Sequence, residues 1–294
     1  MRYNIIHRTT YIYESPVTVG HYTARLEPRT LPQQECPWHE LHIRPEPLER
    51  AKRFDYFGNA TVYFEIAGAH QKLEVISRSL IEVKRTEPSD PARTPSWEII
   101  RDGCRGDGSP SLLIAGELAF PSSLIPLGSL FADYARSSFP AKRPILEAVC
   151  DLSRRIHEDF VFDPAATDHT TPVAQVLANR RGVCQDFAQV MIACLRSIGL
   201  PARYVSGYLE TIPPPGQVKL IGADASHAWI SVYCGDGFGW MDADPTNNIL
   251  PAERHVTVAW GRDFSDVSPL RGVTIGAGEQ RLQVAVDVLP DGGE

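Results

Sequence analysis

The chain has 294 residues, 43% of them hydrophobic, which is enough to bury a substantial core in one large domain or two smaller ones. Its 29 basic and 36 acidic residues leave a formal net charge of −7 with no long basic run, which argues against a nucleic-acid partner. No apolar stretch is long and unbroken enough to span a bilayer, and residues 1–8 lack the apolar run of a secretory signal. We therefore expect a cytoplasmic protein without a membrane partner.

Residues 1–85 are predicted to form a β-rich module. Short segments rich in β-branched and aromatic residues alternate in polarity, which is typical of strands that bury one face. A turn at Asp55–Asn59 separates two of these segments. The segments are Thr9–Tyr13, Trp38–Ile43, Ala60–Ile66 and Leu73–Ile76.

Residues 86–143 are predicted to be a linker with irregular and helical parts. Four prolines and three glycines fall between positions 86 and 110, a density that interrupts regular elements. The third segment, residues 144–294, begins with apolar residues at helical spacing after Pro144, which suits the first turn of a helix. A second helix is expected after Thr171 and Pro172, to end near Gly182.

A third helix is predicted from Cys184 to about Ile198, where Gly199 and Pro201 end it. Strands are then expected at 202–209, 227–233, 240–243, 255–260 and 282–288. Residues 210–225, with three consecutive prolines at 213–215, are predicted to be a stiff surface loop beside the cleft. Helices followed by a run of strands predict an α+β fold.

Cys184 is the candidate nucleophile among six cysteines. In a large chain without a secretory signal, reduced thiols are expected. A structural zinc site has little support, because the sequence contains no Cys-x-x-Cys pair. A cysteine at a helix N-terminus is stabilised as the thiolate by the helix dipole, and the free N–H groups there can hold an oxyanion. The alternative for Cys184 alone is an inert, buried thiol.

His227 and Asp244 are the candidate base and orienting group. His227 begins a strand and can carry the thiol proton to a leaving amine. Asp244 precedes Pro245, at a strand end, and can hold the imidazole tautomer. Asp242 is the rival, because residues two apart share one face of a strand. Each residue also has an ordinary structural interpretation, but their order and settings together favour a catalytic triad.

Four further residues are candidates for substrate binding: Gln185, Asp186, Tyr208 and Trp229. Gln185 and Asp186 follow the cysteine on its helix, although Asp186 can equally complement the helix dipole. Tyr208 and Trp229 can wall a groove, although aromatic residues in strands more often belong to the core.

At four ordered blocks the chain resembles the transglutaminase-like superfamily of papain-like thiol enzymes. The blocks are Gly182–Ala188 (Gly-x-Cys-x-x-x-Ala), Gly199–Arg203 (Gly-Leu-Pro-Ala-Arg), His227–Trp229 and Asp244–Thr246. The resemblance implies a nucleophile helix packed on an antiparallel sheet, and a triad of Cys184, His227 and Asp244 rather than Asp242. Residues 1–85 resemble the β-rich module that precedes this core in bacterial members.

The resemblance implies thiol-dependent acyl transfer on peptide or protein amides, resolved by water or by an amine. Hydrolysis is slightly favoured because water is always available. No cofactor is expected: animal members use calcium, but no compact Asp/Glu ligand loop is present. In papain-like proteases a glutamine shortly upstream of the cysteine completes the oxyanion hole; here no glutamine upstream of Cys184 lies nearer to it than Gln175, so the second oxyanion donor is unassigned. The alternatives are a catalytically silent binding module, and a metal-binding hydrolase that uses His227, Cys184 and carboxylates.

Overall fold

The computed structural model describes residues 1–84, 90–168, 170–211, 226–276 and 278–291. Its strands are β1 (Arg2–Ala24), β2 (Gln34–Arg44), β3 (Glu49–Phe54), β4 (Ala60–Val83), β5 (Val161–Phe162), β6 (Arg181–Gly182), β7 (Ala202–Leu209), β8 (Ser226–Tyr233), β9 (Trp240–Ala243), β10 (His255–Gly261), β11 (Leu270–Ile275) and β12 (Gln280–Pro290). Its α-helices are α1 (Trp97–Asp102), α2 (Pro110–Gly116), α3 (Ser129–Arg136), α4 (Ile145–Asp159), α5 (Val173–Asn179), α6 (Cys184–Ser197) and α7 (Phe264–Val267).

The first sheet is built on the long antiparallel pair β1 and β4. Strands β2 and β3 pair with β4, while β11 and β12 pair with β1. The polarity pattern of the first 85 residues predicted strands here, but it did not reveal that residues 270–290 return to the same sheet. These C-terminal strands, which the sequence grouped with the third segment, therefore complete the β-rich module.

The predicted turn at Asp55–Asn59 is formed by its own polar side chains. Asp55 Oδ1 accepts hydrogen bonds from the backbone N–H groups of Phe57 (3.0 Å) and Asn59 (2.9 Å). Gly58 has φ +73°, in the left-handed region that glycine adopts without strain. The turn therefore fixes Asn59, whose side chain bonds to the backbone of Trp260 on β10.

The proline-rich connection contains more helix than its composition suggested. Pro91 and Pro110 occupy first-turn positions, where a missing N–H costs no helical hydrogen bond. Ser109 caps α2 by accepting from Leu112 N at 3.3 Å. The prolines here therefore begin helical turns rather than exclude them.

The second sheet is antiparallel, in the order β10-β7-β8-β9, and α6 packs against β7 and β8. Helix α6 is buried from Asp186 to Arg196 because it lies between this sheet and the other helices. It ends as predicted: Gly199 has φ +85°, and the Leu200 N–H donates to Leu195 O at 3.0 Å. The predicted α+β fold, with the nucleophile helix on an antiparallel sheet, is confirmed.

The β-rich module holds the edge strand β10 through two side-chain amides. The amide of Gln34 accepts from Thr257 N (2.8 Å) and donates to Thr257 O (2.8 Å). The amide of Asn59 accepts from Trp260 N (3.0 Å) and donates to Trp260 O (2.8 Å). Each amide satisfies a backbone donor and acceptor that an edge strand would otherwise leave open. The β-rich module is therefore joined by directed bonds to the strand that carries His255.

Within the described ranges, no helix combines the length and apolarity required to cross a bilayer. The predicted loop at residues 210–225 lies outside the described residues from position 212 onward.

Candidate active site

Cys184 is the first residue of α6, and its position is fixed by a buried carboxylate. Asp186 Oδ2 accepts from the Val183 N–H (2.8 Å) and from the Thr167 hydroxyl (2.6 Å). A Cβ on Gly182 would lie 2.5 Å from the same oxygen, so only glycine fits before this turn. The prediction that Asp186 lines the cleft does not fit these contacts: the carboxylate caps the helix that presents the thiol.

We expect Asp186→Ala to destabilise the protein by about 1–3 kcal/mol, because it leaves the Val183 N–H and the Thr167 hydroxyl without their acceptor. Urea-induced unfolding measures this change. Asp133→Ala, which removes an exposed ion pair with Arg136, is the control and should cost less than about 0.5 kcal/mol. Equal unfolding midpoints for Asp186→Ala and the wild type would contradict the capping role.

His227 is paired with Asp244 and not with Asp242. The His227 Nε2–H donates to Asp244 Oδ2 at 2.8 Å, while Asp242 Oδ2 accepts from Trp229 Nε1 at 3.0 Å. Asp244 can turn toward His227 because β9 ends at Ala243, so the two-residue alternation that would put both acids on one face stops there. The structure thus separates the two candidate acids.

Asp244 is fully buried and held by its own turn. Its Oδ1 accepts from the N–H groups of Thr246 (2.9 Å) and Asn247 (3.2 Å), and its backbone N–H donates to Ile249 O (2.9 Å). Burial alone would raise the pKa of this carboxyl, but hydrogen bonds from His227 and other donors outweigh it and hold the pKa well below the usual range. Asp244 is therefore a fixed anion at neutral pH.

His227 lies between this anion and the Cys184 thiol. Burial disfavours the imidazolium, yet hydrogen bonds to Asp244 and then to Cys184 raise the pKa of His227 to about 10. Because Nε2 faces Asp244, Nδ1 is the ring nitrogen left for the thiol. A histidine that stays cationic at neutral pH favours the thiolate form of a neighbouring cysteine.

Two residues at this site escaped the sequence analysis. His255, the first residue of β10, donates from Nε2 to Asp244 Oδ2 at 3.2 Å, and Asn247 donates from Nδ2 to the same oxygen at 2.7 Å. Asn247 lies three residues after Asp244, a spacing at which a turn can bring the two side chains into contact. His255 had no such local signal, because β10 reaches Asp244 only through the fold.

Tyr208 and Trp229 do not wall a groove in this structure. Tyr208 is 2% exposed and its hydroxyl contacts His7 Nδ1 at 2.9 Å, while Trp229 is 0% exposed. Both strands are covered on the faces that carry these rings, so the aromatic residues serve the core and its contact with the β-rich module. Gln185 is half-buried beside Cys184 in the first turn of α6, where it remains a candidate for substrate contact.

One cluster of the described residues has the donor set of a metal site. Ligand atoms of His227, Asp244 and His255 lie within 4.8 Å of one another. However, Asp244 Oδ2 already accepts hydrogen bonds from both imidazoles and from Asn247. These bonds satisfy the oxygen as part of a hydrogen-bonded network, and a metal would have to replace them.

Comparison with known protein families finds matches for two regions of the chain. Residues 3–82 match the family described as the bacterial transglutaminase-like N-terminal region, and residues 132–245 match the transglutaminase-like superfamily. An uncharacterized protein of Mycobacterium tuberculosis is 41% identical over all of this chain and 94% of its own length. One of Mycobacterium leprae is 32% identical over 98% of each chain.

More distant relatives share parts of the chain or its fold. A protein-glutamine gamma-glutamyltransferase of Pseudomonas aeruginosa is 31% identical over 46% of this chain and 20% of its own length. The crystal structure of a proposed cysteine protease from Cytophaga hutchinsonii superposes with a TM-score of 0.75 at 20% identity, covering 100% of this chain and 92% of that one. The chain belongs to the transglutaminase-like superfamily, with the bacterial transglutaminase-like N-terminal region ahead of the core.

Proposed function

We propose that the protein is a thiol-dependent acyl-transfer enzyme acting on amide or peptide bonds. The observation that carries this proposal is the buried chain of hydrogen bonds from Asp244 through His227 to Cys184 at the start of α6. A nucleophile, a base that touches it and an anion that orients the base are the groups that covalent acyl transfer needs.

In the first half-reaction the Cys184 thiolate attacks the carbonyl carbon, and the C–N bond of the resulting tetrahedral adduct breaks as His227 gives its proton to the leaving amine. The first N–H groups of α6 have no helical acceptor, so they are available to the oxyanion. In the second half-reaction neutral His227 takes a proton from water or an amine, which attacks the thioester; the C–S bond breaks and releases Cys184 as the thiolate beside cationic His227.

Hydrolysis is the favoured outcome, because water is present in any open cleft. The fold shared with a proposed cysteine protease supports this choice, and the partial likeness to a protein-glutamine gamma-glutamyltransferase supports amine capture as the second candidate. The proposed partner is a peptide or protein amide, and we propose a cytoplasmic location.

Intact mass spectrometry of the protein mixed with an acyl-peptide panel tests the proposal. A mass increase equal to the acyl group, absent in Cys184→Ala, is expected for the thioester. Adding a primary amine such as cadaverine then separates the two outcomes. If the product is the carboxylic acid with and without the amine, the thioester is hydrolysed; if an amide of cadaverine forms, the enzyme catalyses transamidation. Release of product by Cys184→Ala at the wild-type rate would refute the proposal.

We expect His255→Ala to lower amide turnover about 5- to 30-fold, because loss of one buried, charge-assisted hydrogen bond to Asp244 costs about 1–2 kcal/mol. His255→Gln, which keeps an N–H donor, should recover part of the loss. The pH profile of Cys184 alkylation, measured beside thermal unfolding, distinguishes a positioning role from a general loss of stability. Identical pH profiles of alkylation for His255→Ala and the wild type would contradict the positioning role of His255.

A further inference from the structure

The block Gly199–Arg203 has no part in the chemistry proposed above. Its last residue, Arg203, lies on β7 opposite Ser231 of β8. His227 lies four residues away along β8, which corresponds to about 13 Å at the strand rise of ~3.3 Å per residue. Arg203 is therefore outside the catalytic hydrogen-bond chain but on the same sheet.

The guanidinium of Arg203 lies over two indole rings. Its guanidinium carbon lies 4.4 Å from the ring centroid of Trp240 and 3.7 Å from that of Trp260. The guanidinium of Arg29 lies 3.6 Å from the Trp260 ring and also bonds to Asn59. Stacking fixes the guanidinium plane and leaves its edge as the hydrogen-bonding surface.

The charge of Arg203 is not neutralised by any residue that the structure describes. Its Nε is buried without a hydrogen-bond partner, and no carboxylate of the described ranges forms an ion pair with it. Asp242 contributes only a longer-range attraction and is bonded to Trp229. Burial lowers the pKa of Arg203 to about 9, which reflects the cost of holding a cation there. An anion bound at its edge would offset that cost.

A groove of about 810 Å³, between the turn at residues 55–57 and the segment that contains α2, is lined in part by Arg203, Trp240 and Trp260. The other charged groups in the groove already have partners: Arg25 with Asp55, Arg262 with Asp266, and Glu117 with Tyr56. Ile114 and Leu118 supply an apolar wall. Arg203 is thus the cation of this groove that lacks an acidic partner among the described residues.

A smaller groove of about 530 Å³ also reaches Arg203, but it is lined by Asp242 as well. Among the described acids, Asp242 is the one whose charge acts on Arg203, so its carboxylate would repel an anion bound at Arg203 from the smaller groove. The larger groove therefore fits a negative ligand better.

We propose that the larger groove binds a ligand that carries a carboxylate on an apolar group, with the carboxylate held by the Arg203 edge and the apolar group against Ile114 and Leu118. A peptide that ends in an apolar residue and a small apolar acid share this chemistry. The site is separate from the proposed catalytic centre and does not depend on its activity.

Tryptophan fluorescence titration tests the site directly, because Trp240 and Trp260 flank the guanidinium. The full chain with Cys184→Ala is titrated with N-acetylphenylalanine, with its amide, and with 3-phenylpropionate. We expect N-acetylphenylalanine to bind about tenfold more tightly than its amide, because the carboxylate adds one charge-assisted contact with Arg203. Tighter binding of N-acetylphenylalanine would assign the site to a peptide C-terminus, and tighter binding of 3-phenylpropionate would assign it to a free acid.

Variants identify the binding groups. Arg203→Met should abolish the preference for the acid, and Arg203→Lys should restore part of it. Ile114 is 69% exposed, so Ile114→Asp should fold and weaken binding by charge repulsion. The matched control is Ile99→Asp, at a 59% exposed position outside the groove, which should bind normally. Equal affinity for acid and amide, unchanged binding in Ile114→Asp, or no saturation up to about 10 mM would overturn the proposal.

Discussion

Replacing Cys184 with alanine is expected to lower amide turnover by about 10⁴-fold or more, because it removes the atom that forms the thioester. The hydrogen-bonded pair of Asp244 and His227 would remain, but it has no other thiol to activate. Release of the leaving amine from a responsive peptide, followed over time, measures the loss.

Cys36→Ala is the matched control for this experiment. Cys36 lies on β2 of the first sheet, and burial raises the pKa of its thiol to about 11, so it is a poor nucleophile at neutral pH. This variant should keep nearly all of the wild-type rate. A Cys184→Ala protein that retains most of its activity, with Cys36→Ala inactive, would place the chemistry elsewhere in the chain.

The second large effect is expected for Asp244→Asn, which should lower turnover by about 10²- to 10⁴-fold. The substitution replaces a buried anion with a neutral amide that no longer stabilises the imidazolium of His227. The pKa of His227, raised to about 10 in the wild type, should then fall toward its ordinary value. Alkylation of Cys184 should in turn require a higher pH, which a rate profile across neutral pH measures.

Asp242→Asn provides the matched comparison, because Asp242 bonds to Trp229 and not to His227. Its loss should lower stability modestly and leave the pH profile unchanged. If Asp242→Asn shifts the profile and Asp244→Asn does not, the two acids have been assigned in the wrong order.

Local sequence signals predicted the parts of the site that depend on neighbouring residues. Gly182 and Cys184 mark the start of α6, and Pro245 follows the acid where β9 has ended. These features arise from backbone preferences within a few residues, so they are readable without the fold. The four motif blocks predicted membership of the transglutaminase-like superfamily, and the order of helices followed by strands predicted the α+β class; both predictions are confirmed.

The features that the sequence did not predict join residues that are far apart in the chain. The Gln34 side chain hydrogen-bonds to the backbone of Thr257, 223 positions away in the sequence, and β12 pairs with β1. His255 reaches Asp244 only because β10 is held in place at the edge of its sheet. Periodicity identifies that a residue lies on a strand, but it does not identify which strand lies beside it.

The burial of Tyr208 and Trp229 has the same origin. An aromatic residue on a strand can face a cleft or another layer of protein, and the sequence pattern is the same in both cases. Here the β-rich module covers Tyr208 through His7, and His255 packs edge-on against Trp229 at 5.2 Å between ring centroids. The β-rich module thus supports the sheet that carries the proposed triad, which no local signal in its own sequence reveals.

The most direct test of the proposed triad is the rate of Cys184 alkylation. Native protein is treated with limiting iodoacetamide from about pH 5 to 9, and intact mass is compared among the wild type, Cys184→Ala and His227→Ala. Fast addition of a single label at Cys184 below about pH 7, slowed in His227→Ala, is the expected result. Slow labelling spread over several cysteines, at the rate of a free thiol, would contradict the triad and favour a catalytically silent binding module.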